Sequence, residues 1–250
     1  YRLIQFPLGI FSSALSQAIL PTFSTQALEA SRDKMKLTLS WGLRVVFFLL
    51  LPASAGFMVL AQPLVSTLFG GGRFDAYSAG LTANALFFYS IGLFAYGSTK
   101  ILQSCFFALQ DTITPTKVAF VALIMNVILN SLLMFPLKIA GLALATSISG
   151  INSFLMLFFI LKKRIGDFQT KEIAASFVRI LAATACMALA CYLVSRNTFL
   201  AAGFVNRVLN LSLAIICGVA SYIAFCFLFR VSEMRELWLW VSKKGAVLKV

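Results

Sequence analysis

Seven long apolar stretches dominate this sequence and limit the folds that it can adopt. They cover residues 3–25, 45–69, 77–99, 118–137, 139–161, 176–195 and 208–229. Each is close to the roughly 20 residues that an α-helix needs to cross a bilayer, and the stretches do not alternate as barrel strands do. Only 12% of the 250 residues are charged, against about 25% in a soluble domain. We therefore predict an all-α, polytopic membrane protein with about seven transmembrane helices.

The residue types present exclude several kinds of chemistry. The chain has no histidine, which rules out histidine metal sites and Ser-His-Asp triads. Its five cysteines lie in apolar stretches without a C-x-x-C pair, so we interpret them as small buried hydrophobes. All eight acidic residues fall in predicted loops or tails. We predict that the protein is not an enzyme and needs no organic cofactor.

The positive charge follows the loops. The net charge is +13, and 16 of the 21 Lys and Arg residues fall in one set of alternate loops and the C-terminal tail. Such an excess is typical of cytoplasmic loops. We therefore expect the N-terminus of this segment outside and its C-terminus in the cytoplasm. The same distribution favours contact with membrane lipids and argues against a nucleic-acid partner.

Local signals predict how the fourth and fifth stretches are connected. Thr114 and Pro115 suit the N-cap and first position of a helix. Pro136 is expected to end that helix, and few residues then remain before the fifth stretch begins. The two spans are therefore predicted to form an antiparallel hairpin.

The most polar linker predicts a division of the chain. Residues 162–175 are rich in charged residues and follow the fifth stretch. We predict a lobe of five transmembrane helices over residues 1–165. Residues 166–250 would then form an accessory helix pair with a basic cytoplasmic tail.

Prolines and a glycine inside the first two stretches predict irregular helices. Pro7, Gly9 and Pro21 lie in the first stretch and Pro52 in the second. Proline frees a backbone carbonyl in a membrane helix, and interrupted helices often mark transporter sites and hinges. A static kink is an equally good interpretation of this pattern.

Three basic residues at the edges of apolar stretches are candidate anion contacts. Arg2, Arg44 and Lys100 each lack an adjacent acidic residue. An arginine facing a cavity suits a phosphate group, whereas one at the interface snorkels to the headgroups. The spacing alone favours interfacial anchors.

Two asparagines and a threonine form a candidate polar cluster. Asn126 and Asn130 lie four residues apart, hence on one helix face, and Thr146 would meet them across the predicted hairpin. Their oxygens suit a hard cation such as sodium. Hydrogen bonds between membrane helices are the commoner use of such residues.

A series of short motifs resembles a known family. The motifs are RLIQFPLG at 2–9, ILPTFS at 19–24, LLPA at 50–53, GRF at 72–74, FALQDT at 107–112, TPTK at 114–117 and AGLALATS at 140–147. In this order and spacing they resemble the second half of the MurJ (MviN) family of lipid II flippases. The resemblance covers residues 1–165 well and the rest as two further spans.

The resemblance implies a fold and a function. The family has fourteen spans of the MOP type, with two six-helix lobes around a cavity and a final helix pair that forms a lipid-binding groove. The spans here would be the eighth to the fourteenth, in the bacterial inner membrane. The family moves lipid II, an undecaprenyl-pyrophosphate-linked peptidoglycan precursor, by alternating access. A missing N-terminal lobe would have to complete the cavity.

The resemblance also implies site residues. Arg2 matches a motif arginine that is thought to hold the pyrophosphate, and this implication reverses the preference for an anchor at that position. Asn126, Asn130, the Leu142 backbone and Thr146 match a sodium site described in some members. Asn130 stands where the family has an aspartate.

Two other functions stay open from the residues. A related exporter of another lipid-linked glycan would share the pyrophosphate, whereas one for cationic drugs would want acidic residues in its spans. A membrane scaffold or remnant without transport would tolerate neutral substitutions at Arg2, Arg44 and Lys100.

Overall fold

The computed structural model describes residues 2–28, 31–69, 75–198 and 204–234, and these are almost entirely helical. The motif at 72–74 and most of the predicted basic tail lie outside them. The elements are α1 (Arg2–Pro7), a π-helical segment (Leu8–Ser13), α2 (Ala14–Leu28), α3 (Arg32–Val59), α4 (Ala61–Phe69), α5 (Ala76–Ile91), α6 (Leu93–Ala108), α7 (Ile113–Leu137), α8 (Ile139–Ile165), α9 (Thr170–Thr198) and α10 (Phe204–Leu228).

The predicted number of spans is confirmed. Six helical stretches are long and apolar enough to cross a membrane, and α5 and α6 form a seventh span bent by 42°. The first span comprises α1, the π-helical segment and α2 without a break. Within the described residues there is no β-strand. The predicted fold class, an all-α polytopic membrane protein, is correct.

The second span starts earlier than predicted. Helix α3 begins at Arg32 rather than at residue 45, and it ends at Val59, where Leu60 separates it from α4. The first turns of α3 contain several charged residues, so the length of the apolar run underestimates the length of the helix. An ion pair of 3.3 Å between Lys36 Nζ and Asp33 Oδ1 lies in these turns.

The third span is broken where the sequence predicted a continuous helix. The break falls at Gly92, and a Cβ there would lie 2.7 Å from the Cα atom of Ser147 on α8. The Ser147 hydroxyl donates to the carbonyls of Phe88 at 2.7 Å and Tyr89 at 3.2 Å. Two carbonyls at the end of α5 thereby gain a partner from α8.

The hairpin of α7 and α8 is confirmed, but its predicted cap is wrong. Helix α7 begins at Ile113, and the Asp111 carboxylate accepts from the Thr114 backbone N–H at 2.9 Å and hydroxyl at 2.7 Å. These bonds and the paired Arg164 guanidinium lower the pKa of Asp111. Aspartate outside the helix thus takes the capping role that was assigned to Thr114.

The far end of this hairpin differs slightly from the prediction. Pro136 lies inside the last turn of α7, which ends at Leu137. Lys138 alone joins the two helices, with a left-handed φ of 51°. This one-residue connection forces the chain to reverse at once.

The α9–α10 pair packs against α3. The linker before it is shorter than predicted, because α8 continues to Ile165 and α9 begins at Thr170. The division of the chain at residue 165 stays a prediction.

One hydrogen bond explains how α3 continues past Pro52. Proline has no N–H, so the carbonyl of Phe48, four residues earlier, loses its helical donor. The Tyr222 hydroxyl from α10 donates to this carbonyl at 2.8 Å, and Tyr222 is buried. The Phe48 carbonyl, which Pro52 leaves without a helical donor, therefore gains a hydrogen bond from the neighbouring helix α10.

We expect Tyr222→Phe to destabilise the protein by about 1 kcal/mol, because the Phe48 carbonyl is left without a donor. Thermal unfolding in detergent measures the change. Tyr192→Phe is the control, since Tyr192 lies exposed on α9. Equal unfolding midpoints for both variants would contradict this account of Pro52.

Candidate functional site

A polar cleft lies between the first span, α6 and α8. It has a volume of about 560 Å³. The lining residues are Gln5, Leu8, Gly9, Tyr96, Thr99, Lys100, Gln103 and Ser153. Four of them, on α6, are spaced at three and four residues and so share one helix face. This spacing places a polar stripe inside an apolar span.

Lys100 provides a positive charge within the cleft. Its ammonium group donates to the Ser13 hydroxyl at 2.5 Å, and that hydroxyl donates to the Leu8 carbonyl at 3.2 Å. Lys100 is half-buried, and none of the described lining residues is acidic. An ammonium ion held in this way offers its remaining donors to an anion.

Serine hydroxyls hold the first span against α6. Ser12 donates to the Gly97 carbonyl at 2.8 Å, and Ser104 donates to the Ser16 carbonyl at 3.3 Å. Together with the Lys100–Ser13 bond, these contacts join residues 12–16 of the first span to residues 97–104 of α6. They fix the π-helical segment and so the position of the cleft wall.

Arg2 lies one helical turn before the nearest lining residue of the cleft, Gln5. It is the first residue of α1 and is exposed. Gln5, three residues later on α1, lines the cleft, so α-helical spacing puts Arg2 on a neighbouring part of the same side of α1. The arrangement is compatible with a substrate contact, which stays a prediction.

Arg44 lies elsewhere. It does not line the cleft, and its Nη1 atom is 3.6 Å from the carboxylate of buried Glu233. This ion pair gives the arginine a partner that the sequence patterns did not reveal. Of the three basic candidates, Lys100 lines the cleft, Arg2 lies one helical turn before the lining residue Gln5, and Arg44 lies elsewhere.

The predicted hinge residues differ in their surroundings. Pro7 ends α1 and precedes the π-helical segment, and a Cβ added at Gly9 would meet no atom within 4 Å, so this part is irregular and open. Pro21 and Pro52 lie inside α2 and α3, which stay α-helical around them. A hinge role for these four residues stays a prediction.

The predicted polar cluster of α7 and α8 is brought together. Asn130 Nδ2 donates to Asn126 Oδ1 at 2.9 Å, and Asn126 Nδ2 lies 3.5 Å from Thr146 Oγ1. Thr146 Oγ1 donates to the Leu142 carbonyl at 2.8 Å. Asn130 Oδ1 is buried, and no described residue gives it a hydrogen bond. The cluster therefore presents one unmet oxygen.

An apolar groove of about 580 Å³ lies on the other side of the first span. Phe6, Pro7 and Phe11 form one wall, α3 and α4 contribute to the floor, and α9 and α10 supply the opposite wall. Cleft and groove are separated by the thickness of a single helix.

Sequence reasoning missed several residues of both cavities. Tyr96, Thr99 and Gln103 were detectable as a polar stripe of helical period, with Lys100 in its centre. Ser13 and Glu233 carried no such signal, because their partners are distant in sequence.

These features define a class: an α-helical, multi-pass membrane protein with a polar cleft beside an apolar groove. The family described as "Lipid II flippase MurJ" matches residues 1–230, and the chain belongs to this family. The resemblance found in the motifs is thereby confirmed. Family membership and the apolar helices make it a multi-pass protein of the bacterial inner membrane.

Individual relatives support the assignment. The probable lipid II flippase MurJ of Vibrio cholerae serotype O1 is 35% identical over 232 residues, which are 92% of this chain and 44% of that protein. The lipid II flippase MurJ of Burkholderia cenocepacia is 37% identical over 163 residues, covering 65% of this chain and 32% of that protein.

A solved structure shares the fold. It is titled lipid II flippase MurJ, inward closed conformation, and matches with a TM-score of 0.75 at 25% identity. The match covers 92% of this chain and 45% of that chain. The chain thus spans less than half the length of the relatives that it matches.

Proposed function

We propose that this chain forms the C-terminal half of a lipid II flippase, which moves the undecaprenyl-pyrophosphate-linked peptidoglycan precursor across the bacterial inner membrane by alternating access. The observation that carries the proposal is the pair of cavities on either side of the first span. Lys100 and Arg2 suit the pyrophosphate, and the apolar groove suits the hydrocarbon chain. The first lobe of the family fold would complete the polar cavity.

The proposed topology places the two cations at different depths in the membrane. The excess of Lys and Arg near the loops at 109–112 and 166–169 supports a cytoplasmic location for these loops, with the start of α1 outside. Arg2 would then lie near the outer end of the cleft and Lys100 deeper, toward the cytoplasm. Two cations at different depths support stepwise transfer of an anionic headgroup.

The other functions are less well supported. A carrier of cationic drugs would need acidic lining residues, and the described cleft lining contains none. Another lipid-linked glycan would carry the same pyrophosphate and hydrocarbon chain as lipid II. The two substrates differ only in the glycan. A scaffold without transport would not need Lys100 in the cleft.

Rescue of a flippase-depleted bacterium tests the proposal. We expect the gene that contains this chain to restore growth, and Arg2→Ala to lower the rescue by about tenfold, because an exposed charge-assisted hydrogen bond to phosphate contributes about 1.5 kcal/mol. Arg32→Ala is the control, since Arg32 is exposed at the start of α3. Membrane levels are matched by immunoblotting.

The outcomes separate the candidates. Wild-type rescue with a defective Arg2→Ala variant supports both the flippase and the phosphate contact. Equal rescue by both identifies Arg2 as an interfacial anchor. Failure of the wild type, with correct membrane insertion, contradicts lipid II as the substrate.

We also propose that the polar cluster of α7 and α8 binds sodium. Asn126, Asn130, the Leu142 carbonyl and Thr146 supply oxygen ligands of the type that hard cations prefer, and the unmet Asn130 Oδ1 favours a ligand. The four oxygens carry no net charge, so affinity should be low. A bound cation would stabilise the hairpin of α7 and α8.

Sodium-dependent thermal stability tests this cluster without measuring transport. We expect NaCl to raise the unfolding midpoint more than KCl does, since a ligand that binds only the folded state stabilises it. Asn130→Asp should increase this difference by adding a charge, and Asn130→Leu should abolish it. Asn152→Leu, on α8 but outside the cluster, should not change it. Equal effects of both salts on the wild type would contradict the site.

A further inference from the structure

The chain reverses direction after α10. The helix ends at Leu228, and Arg230 adopts a left-handed φ of 52°. The Val231 N–H then donates to the Cys226 carbonyl at 2.9 Å and the Arg230 N–H to the Phe227 carbonyl at 3.2 Å. These bonds turn the following residues back toward the bundle, where Val231 and Glu233 are buried.

The returning segment inserts a carboxylate between two other helices. Glu233 is 2% exposed, and it is the one buried acidic residue in the ranges that the structure describes. Its Oε1 atom lies 3.6 Å from Arg44 Nη1 on α3 and accepts a 2.8 Å hydrogen bond from the Ser176 hydroxyl on α9. One side chain therefore links α3, α9 and the segment after α10.

The energetics of this cluster indicate a role in geometry. Glu233 Oε2 and Arg44 Nε are buried and find no hydrogen-bond partner among the residues that the structure describes. A buried ion pair with unmet atoms adds little net stability, since desolvation offsets the attraction, whereas removing one partner is costly. Glu233 therefore adds little to the overall stability. Its bonds instead favour one relative arrangement of α3, α9 and the segment after α10.

The same arrangement forms one end of the apolar groove. Met234, directly after Glu233, lines the groove, and so does Tyr222. Phe48, whose carbonyl binds Tyr222, lies four residues after Arg44 and so on the same face of α3. The ion pair and the tyrosine bond are therefore successive attachments of the α9–α10 pair to one face of α3.

We propose that Glu233 is a positioning residue, which holds the α9–α10 pair and Met234 against α3 through Arg44 and Ser176, and thereby gives the groove the width that a long hydrocarbon chain needs. The identity of the molecule in the groove rests on the proposed function. The attachment of the α9–α10 pair to α3 through Glu233 does not.

Distance measurements between spin labels test the attachment. In a background without native cysteines, labels are placed on exposed Leu213 of α10 and exposed Phe120 of α7, with the protein in lipid nanodiscs. We expect one narrow distance distribution for the wild type and a second population for Glu233→Gln. The charge exchange Arg44→Glu with Glu233→Arg should restore the narrow distribution. Glu172→Gln, on the exposed start of α9, is the matched control.

A binding measurement tests the consequence for the groove. We expect Glu233→Gln to weaken binding of a fluorescent polyprenyl phosphate by about fivefold, and to leave binding of inorganic pyrophosphate unchanged. Failure of the wild type to bind the polyprenyl phosphate contradicts the proposed function, while the label distances still decide the attachment. If Glu233→Gln does not fold, Ser176→Ala weakens the same attachment more mildly.

Two results would overturn the proposal. An unchanged distance distribution in both Glu233→Gln and Ser176→Ala shows that packing alone holds the α9–α10 pair. A second population without weaker polyprenyl phosphate binding shows that the attachment does not shape the groove.

Discussion

In the proposed flippase, replacing Lys100 with methionine is expected to lower transport of the lipid-linked substrate by about 100-fold. Lys100 is half-buried in the cleft, where its ammonium group is held by Ser13. Removing a charge from a partly desolvated hydrogen-bonded pair with an anion costs roughly 2–5 kcal/mol, more than at an exposed position. Methionine keeps the length and the packing, so the loss isolates the charge.

Rescue of a flippase-depleted strain and binding of pyrophosphate to the purified protein both measure this effect. Lys117→Met is the matched control, because Lys117 is exposed near the start of α7 and does not line the cleft. Lys100→Arg keeps the charge and should retain part of the activity. Full activity of Lys100→Met would show that the cleft cation does not contact the substrate.

Replacing Gly92 with alanine is expected to destabilise the protein by about 3 kcal/mol and to reduce its level in the membrane. The new Cβ would lie 2.7 Å from the Ser147 Cα and 2.9 Å from its hydroxyl, which itself binds the end of α5. Because a backbone atom cannot rotate away, α8 must separate from the break between α5 and α6. Overpacking of this kind commonly costs about 1–3 kcal/mol.

Gly80→Ala is the control for this prediction. Gly80 lies on α5, and a Cβ there would meet no atom within 4 Å. Alanine should therefore be neutral or stabilise the helix by up to about 1 kcal/mol. Thermal unfolding in detergent and the amount of folded protein in membranes compare the two. Equal stability and equal membrane levels of the two variants would mean that Gly92 and α8 are not tightly packed.

The spans could be predicted well because their signal is local. A continuous apolar run of about 20 residues is a membrane helix wherever it packs, so seven runs led to seven spans. The boundaries were less accurate where polar turns extend a helix. Helix α3 begins at Arg32, and the five charged residues among positions 32–44 interrupt the apolar run there, although Met35, Leu39 and Leu43 are buried.

The site could be predicted only in part. Asn126, Asn130 and Thr146 were expected to meet, since a helical period and a short hairpin are enough to bring them together. Arg44 was grouped with Arg2 and Lys100 because all three lie at the edges of apolar stretches. The structure separates Arg44 from the other two by pairing it with Glu233, a residue that sequence patterns place in a tail.

The sequence by itself determined the membrane environment, the number of spans and the family, because these depend on run lengths and motifs along the chain. The tertiary structure alone decided the bend at Gly92, the Lys100–Ser13 bond and the burial of Glu233. Each of these joins residues that are far apart in sequence, so it depends on how closely two helices approach. Small residues and polar groups without a local partner determine how closely two helices pack. No periodic pattern in the sequence indicates which helix will supply the hydrogen-bond partner.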